Sequence, residues 1–172
     1  MTAKFCLIAA ASLLAGSASA AGTAPTDPQI AHIAYTAGTI DIEAAKLALQ
    51  KSKSKAVREF ASEMVRDHEA VNEKALALVK KLHVTPEQNV TSEGLTKQAA
   101  ATKAKLAKLH GKAFDKAYAA NEVAYHKTVN GALKSTLIPS ANNGELKSLL
   151  ETGLALFSEH QQHAEHLSAS LK

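Results

Sequence analysis

The sequence contains no tryptophan, only three tyrosines and four phenylalanines, and one cysteine in 172 residues. Strands favour aromatic and β-branched side chains, so this shortage argues against a β-barrel, a sandwich or an immunoglobulin-like fold. The single cysteine, Cys6, excludes a disulfide framework and a thiolate zinc site. The four prolines stand at 25, 28, 86 and 139, and none interrupts a helical pattern. No apolar run is long enough to span a bilayer. Charge of one sign is not blocked either: the net +4 arises from interspersed Lys and Glu, the pattern of solvated helix faces. A nucleic-acid binder would want a basic stripe with aromatic stacking platforms, and neither is present. There is no Gly-x-Ser-x-Gly, no His-Glu-x-x-His and no glycine-rich phosphate loop.

Alanine is abundant instead, at 35 positions. It is the best intrinsic helix former, so the composition predicts an all-α protein with slim, closely approaching helices. The N-terminus carries Lys4, an apolar stretch over 5–15 and then Gly16-Ser17-Ala18-Ser19-Ala20. This reads as a secretory signal peptide over 1–20, cleaved near Ala20, which would remove Cys6 and deliver the protein to the periplasm or outside the cell. Residues 21–27 read as a linker and 28–171 as one helical domain.

Hydrophobic spacing places the helices. Pro28 follows a capping Asp27 and opens a helix over 28–50, with Ile33, Ala37, Ile40, Ala44 and Leu47 as its apolar stripe. Ser52 or Ser54 caps a second helix, whose stripe is Val57, Phe60, Met64, Val71, Ala75, Leu78 and Leu82. A loop around Pro86 leads to a shorter helix capped by Thr91 or Ser92, with Leu95, Ala99, Thr102, Leu106 and Leu109 on one face. Gly111 ends or kinks that segment. A long helix over 112–135 follows, then a loop over 137–144 and a last helix over 145–171. Short connections favour antiparallel neighbours. The expectation is an antiparallel four-helix bundle with a short extra helix between the second and third long helices.

Histidines and carboxylates recur at seam positions. His68 lies four after Met64; His126 lies four after Glu122; His160, His163 and His166 are spaced by three; Glu43 borders the stripe of the first helix. Bundles hold metals with inward Glu and His from facing helices. The candidate metal ligands are therefore Glu43, His68, Glu122, His126, His160 and His163. Compared with the di-iron carboxylate pattern, two carboxylates are replaced, by Val65 and His160, so the set is rich in imidazole. Imidazole suits zinc or copper at least as well as iron. A frame Val-x-x-His-x-x-Val-Asn also occurs twice, at Val65-His68-Val71-Asn72 and Val123-His126-Val129-Asn130. It could mark two related helix pairs.

Gly38-Thr39-Ile40-Asp41-Ile42-Glu43-Ala44-Ala45-Lys46-Leu47-Ala48, the segment Phe60-Ala61-Ser62-Glu63-Met64-Val65-Arg66-Asp67-His68, and Phe114-Asp115-Lys116-Ala117-Tyr118 together resemble the bacterial exported "domain of unknown function 4142" family. The resemblance implies a ferritin-like fold, a secreted or periplasmic address and no established activity. It also implies inward positions at Glu43, Asp67, His68, His126 and His163. The chain departs from the family at Leu156-Phe157, where Leu-Pro is frequent, and adds His160 and His166. The leading expectation is an exported, non-catalytic bundle that binds a transition metal (zinc, copper, iron or manganese) between helices, as monomer or homodimer, without nucleic acid. A di-metal oxidase or peroxide-scavenging enzyme stays open as an alternative. So does a purely structural or partner-binding bundle without a ligand.

Overall fold

The structure is a computed structural model that describes residues 24–171. The stretch read as a signal peptide, with its cleavage site near Ala20, lies outside the described residues. Among the described residues all regular structure is helical. Helix α1 spans Asp27–Lys51, α2 Lys55–Lys81, α3 Val90–Ala107, α4 Gly111–Ala132, α5 Ile138–Ser140 and α6 Gly144–Ser170; a π-helical turn, Leu133–Leu137, joins α4 to α5. No helix among the described residues is long and apolar enough to cross a membrane.

Local chemistry explains the boundaries. Thr26, not Asp27, is the residue before α1, and its amide donates to Gln29 Oε1 at 3.2 Å. Asp27 is the first helical residue, and its carboxylate accepts the backbone amides of Asn142 and Asn143 at 2.9 and 2.8 Å. It thereby ties the start of α1 to the turn before α6. Ser54 caps α2 as expected. That helix ends with His83 at φ 53°, and the Val84 amide donates back to the Val79 carbonyl, a Schellman closure made without glycine. The cap of α3 is Asn89, one turn earlier than Thr91 or Ser92: Asn89 Oδ1 accepts from both of their amides at 3.1 Å. Ser92 instead returns its hydroxyl to the Asn89 amide at 3.1 Å, completing a capping box. Gly111 adopts φ +52° at the start of α4, a conformation that favours glycine. The loop expected over 137–144 shrinks to residues 141–143, because the chain stays helical through Ser140. Pro139 is tolerated there in the first turn of α5, where a missing N–H loses no intrahelical bond.

Helix α1 packs on α2 and α4, and α6 packs on the same two. The contact registers run in opposite directions across each seam: Lys46 meets Glu69 across α1 and α2, while Tyr125 meets Ala37 across α4 and α1. All four seams are therefore antiparallel, and α2 and α4 stand diagonally opposite and point the same way. The chain must travel the length of the bundle between them. Helix α3 makes that return along the outside of α1, with Asn89 near Gln29, Lys103 near Glu43 and Ala107 near Lys51. One long crossover of this kind is the ferritin-like connectivity.

Two apolar clusters fill the interior. One holds Val57, Phe60, Met64, Phe114, Tyr118 and Leu167; the other holds Ile30, Ile33, Leu133, Leu146, Leu150 and Phe157. Between them, in chain position on every bundle helix, lies a layer of buried polar side chains. The inward face of α1 is rotated from the stripe read in the sequence. Gly38, Asp41, Ile42, Ala45 and Ala48 are buried, whereas Ile40, Ala44 and Leu47 are half-buried. The reason is α3, which covers the second flank of α1, so the most apolar arc of α1 lies between two contacts rather than on the axis.

Candidate metal centre

The polar layer consists of Asp41 from α1, His68 from α2, Glu122 and His126 from α4, and His160 from α6, each at most 3% exposed. Asp41 Oδ2 lies 3.6 Å from His68 Nε2 and 3.6 Å from His126 Nε2. Ligand atoms of His68, His126 and His160 fall within 4.8 Å of one another, and so do those of Asp41, Glu122 and His126. Tetrahedral donors at about 2.1 Å from an ion stand about 3.4 Å apart, so the Asp41–imidazole spacings are close to those of a coordination shell.

The outer partners of the rings decide which nitrogens are free. His126 donates Nδ1–H to the Glu122 carbonyl at 3.0 Å, which leaves Nε2 as a lone pair facing Asp41. His160 donates Nε2–H to Asp67 Oδ2 at 3.1 Å, which leaves Nδ1. Asp67 is held in turn by Arg66 at 2.6 Å. His68 has neither ring nitrogen hydrogen-bonded; its ring stacks on Phe157 at 4.5 Å. The free His126 Nε2, His160 Nδ1, both oxygens of Asp41 and Glu122 Oε2 have no hydrogen-bond partner. Each buried polar atom left unpaired costs roughly 1–3 kcal/mol. So many in one layer need a ligand or a function to retain them.

Electrostatics follows from this burial. Desolvation pushes the Asp41 carboxyl up to about 7, with Glu122 pulling it partly back. Glu122 is raised well above the usual carboxylate range by burial and by the neighbouring Asp41. Burial lowers His68 to about 3 and His126 to about 4, the two other imidazoles adding to the effect on His68. His160 is lowered by burial despite its bond to Asp67. The exposed flank behaves conventionally: Arg66 holds Asp67 below its ordinary value. The layer thus combines neutral imidazoles with two carboxyls whose hold on their protons burial strengthens, a set of donors without a buried counter-cation.

Four residues expected as ligands, His68, Glu122, His126 and His160, come together. Two do not. Glu43 is on the solvent side of α1, about half exposed, and pairs with Lys103 of α3 at 2.9 Å. His163 lies outside the layer: its Nδ1 meets Glu63 Oε2 at 2.7 Å and its ring edges against Phe60. His166 is exposed. The residue that sequence reading missed is Asp41. Its signal was present in the small-residue run Gly38, Asp41, Ala45, Ala48, whose spacing of three and four marks a closely packed face as well as large side chains would.

The repeated frame occupies matching sites. His68 and His126 face each other with ring centroids 5.7 Å apart. Asn72 donates to Thr39 Oγ1 at 3.3 Å on α1, and Asn130 to the Phe157 carbonyl at 3.0 Å on α6. Asn72 reaches α1 because Gly38 leaves room: a Cβ there would lie 2.4 Å from Asn72 Oδ1. The frame stands once in each hairpin, on the second helix of the first and the first helix of the second, so it falls on the parallel, diagonally opposite helices α2 and α4.

Fold and layer define an all-α, ferritin-like four-helix bundle with a buried histidine–carboxylate cluster. The chain belongs to the DUF4142 family, a domain of unknown function whose family pattern matches residues 12–167. No curated protein matches the chain in sequence. Among solved structures, CopM in the Cu(II)-bound form is similar over 87% of this chain and 99% of its own, with a TM-score of 0.66 and 14% identity. A DUF305 protein described as secreted, from Streptomyces coelicolor, is similar over 83% of this chain and 91% of its own, with a TM-score of 0.69 and 12% identity. At such identities the likeness is one of fold.

Proposed function

We propose that the protein is an exported, non-catalytic envelope protein that binds a transition metal ion between its four bundle helices. Asp41, His68, His126 and His160 would be the ligands, with Glu122 completing the shell. One observation carries this reading. Hydrogen bonds from the ring nitrogens of His126 to a backbone carbonyl and of His160 to Asp67 leave the opposite nitrogens bare, buried and directed to the same layer as the bare oxygens of Asp41. Metal-ligating histidines are oriented in this way by outer partners that fix the tautomer. A donor set of three imidazoles with carboxylates suits copper or zinc above manganese. The Cu(II)-bound state of CopM and the secreted description of the DUF305 relative support the metal and the address.

The test is metal retention. Chelator-stripped protein, dialysed against equal Cu(II), Zn(II) and Mn(II), is expected to keep about one ion per chain in elemental analysis, copper before zinc before manganese. Retention unchanged in His68→Ala/His126→Ala would overturn the site. The two overlapping donor groups share His126. The one free nitrogen of His126 can hold a single ion, so two retained ions per chain would count against the site as drawn and favour the di-metal oxidase reading.

A further inference from the structure

The half of the bundle beyond the polar layer is built differently from the other half. Where Phe60, Phe114 and Tyr118 are fully buried, the opposite end opens into a pocket of about 790 Å³ among α1, α2, α4, α6 and the first turns of α3. That volume is within the range of small-molecule sites, about 300–1,000 Å³. Its walls come from the second apolar cluster, with Ile33, Leu133, Leu137, Leu146 and Leu150 prominent. None of the lining residues is Asp, Glu, Lys or Arg. Its inner end reaches His68, His126 and Asn72, and its rim includes the exposed Val90, Thr91 and Thr136. Water along the apolar walls finds few hydrogen-bond partners, so covering them with an apolar body is favourable. An ionised headgroup would find no counter-charge on the walls and would meet unpaired buried groups at the inner end.

We propose that this cavity is a binding site for one neutral, elongated hydrophobic molecule whose uncharged hydrogen-bonding end points toward His68, His126 and Asn72. The apolar body extends the second apolar cluster, and the neutral end meets groups that offer single hydrogen bonds without charge. The site shares His68 and His126 with the proposed metal ligands at its inner end, while its apolar walls are separate from Asp41, Glu122 and His160.

The experiment uses N-phenyl-1-naphthylamine, a neutral apolar fluorophore, with purified protein. Saturable binding of one probe per chain is expected. Dodecanol should displace it at a concentration lower by about tenfold or more than dodecanoate at pH 8, because only the latter carries an unpaired charge inward. Ala34→Phe/Ala75→Phe, which places two rings in the cavity, should weaken probe binding by about tenfold or more while leaving metal retention unchanged. If that variant fails to fold, Thr136→Trp at the rim should slow probe entry in stopped-flow measurements. Absence of saturable binding, equal displacement by dodecanol and dodecanoate, or unaltered binding or entry in a folded variant would overturn the proposal. Failure of the wild-type protein to retain metal, with probe binding as expected, would instead count against the metal site alone.

Discussion

Replacing Asp41 by Asn is expected to stabilise the metal-free protein, and increasingly so as pH rises. The carboxyl sits in the polar layer with burial holding it at about 7 instead of 3.8. Between those values the folded chain keeps a proton that the unfolded chain has released. The native state then binds more protons, and stability falls as pH rises through the window, the reverse of the usual carboxylate. At roughly 1.4 kcal/mol per pH unit, the loss is about 1–2 kcal/mol at pH 5 and reaches about 4 kcal/mol by pH 8. Asn has no proton to lose. The stability difference between variant and wild type should therefore widen by about 3 kcal/mol over that range. The wild-type curve alone conceals the effect. His68 and His126, lowered to about 3 and about 4, contribute with opposite sign, because the unfolded chain takes up their protons first as pH falls below 6.5. Urea unfolding followed by far-ultraviolet circular dichroism, with chelator present at each pH, measures the difference directly. Parallel curves for the two proteins would refute the burial argument. With metal bound the sign reverses, because an ion held only by the native state adds stability that the variant, missing a ligand, forfeits.

Metal affinity itself should rise by about tenfold per pH unit up to near 7 as the ion displaces the Asp41 proton, and isothermal titration in a pH series reads that slope. His160→Ala should weaken binding by more than about tenfold, whereas Glu43→Ala and His163→Ala should leave it unchanged in the same titration. Gly38→Ala brings a Cβ to 2.4 Å from Asn72 Oδ1. It should destabilise the protein by about 1–3 kcal/mol in denaturant unfolding, with most of the loss restored by adding Asn72→Ser. Asn89→Ala removes the cap of α3 and should cost about 1 kcal/mol in the same assay.

The helices were legible because their signals are local. The 3.6-residue stripe of α2, the Ser54 cap and the Gly111 break all act within a few residues, and each is found where the spacing puts it. The crossover was legible too, since α3 had to lie between two long helices. What local reading misjudged was rotation. The face of α1 toward the axis depends on α3, which arrives 56 to 60 residues later in the chain and covers the flank holding Ala44 and Leu47. That rotation exchanged Glu43 for Asp41. His163 stands apart for a related reason: three histidines at steps of three drift around the helix, so His160 faces inward while His163 leaves the axis for Glu63. The π turn after α4 has no strong local signature, and Pro139 read alone suggests a break instead of a new first turn.

The shared direction of α2 and α4 carries a consequence. Because the two helices are parallel and diagonally opposite, His68 and Asn72 on one and His126 and Asn130 on the other follow in the same order along the bundle. Each helix answers one chemical demand in the same way: an imidazole at the axis, and one turn further on an amide that clips the neighbouring helix.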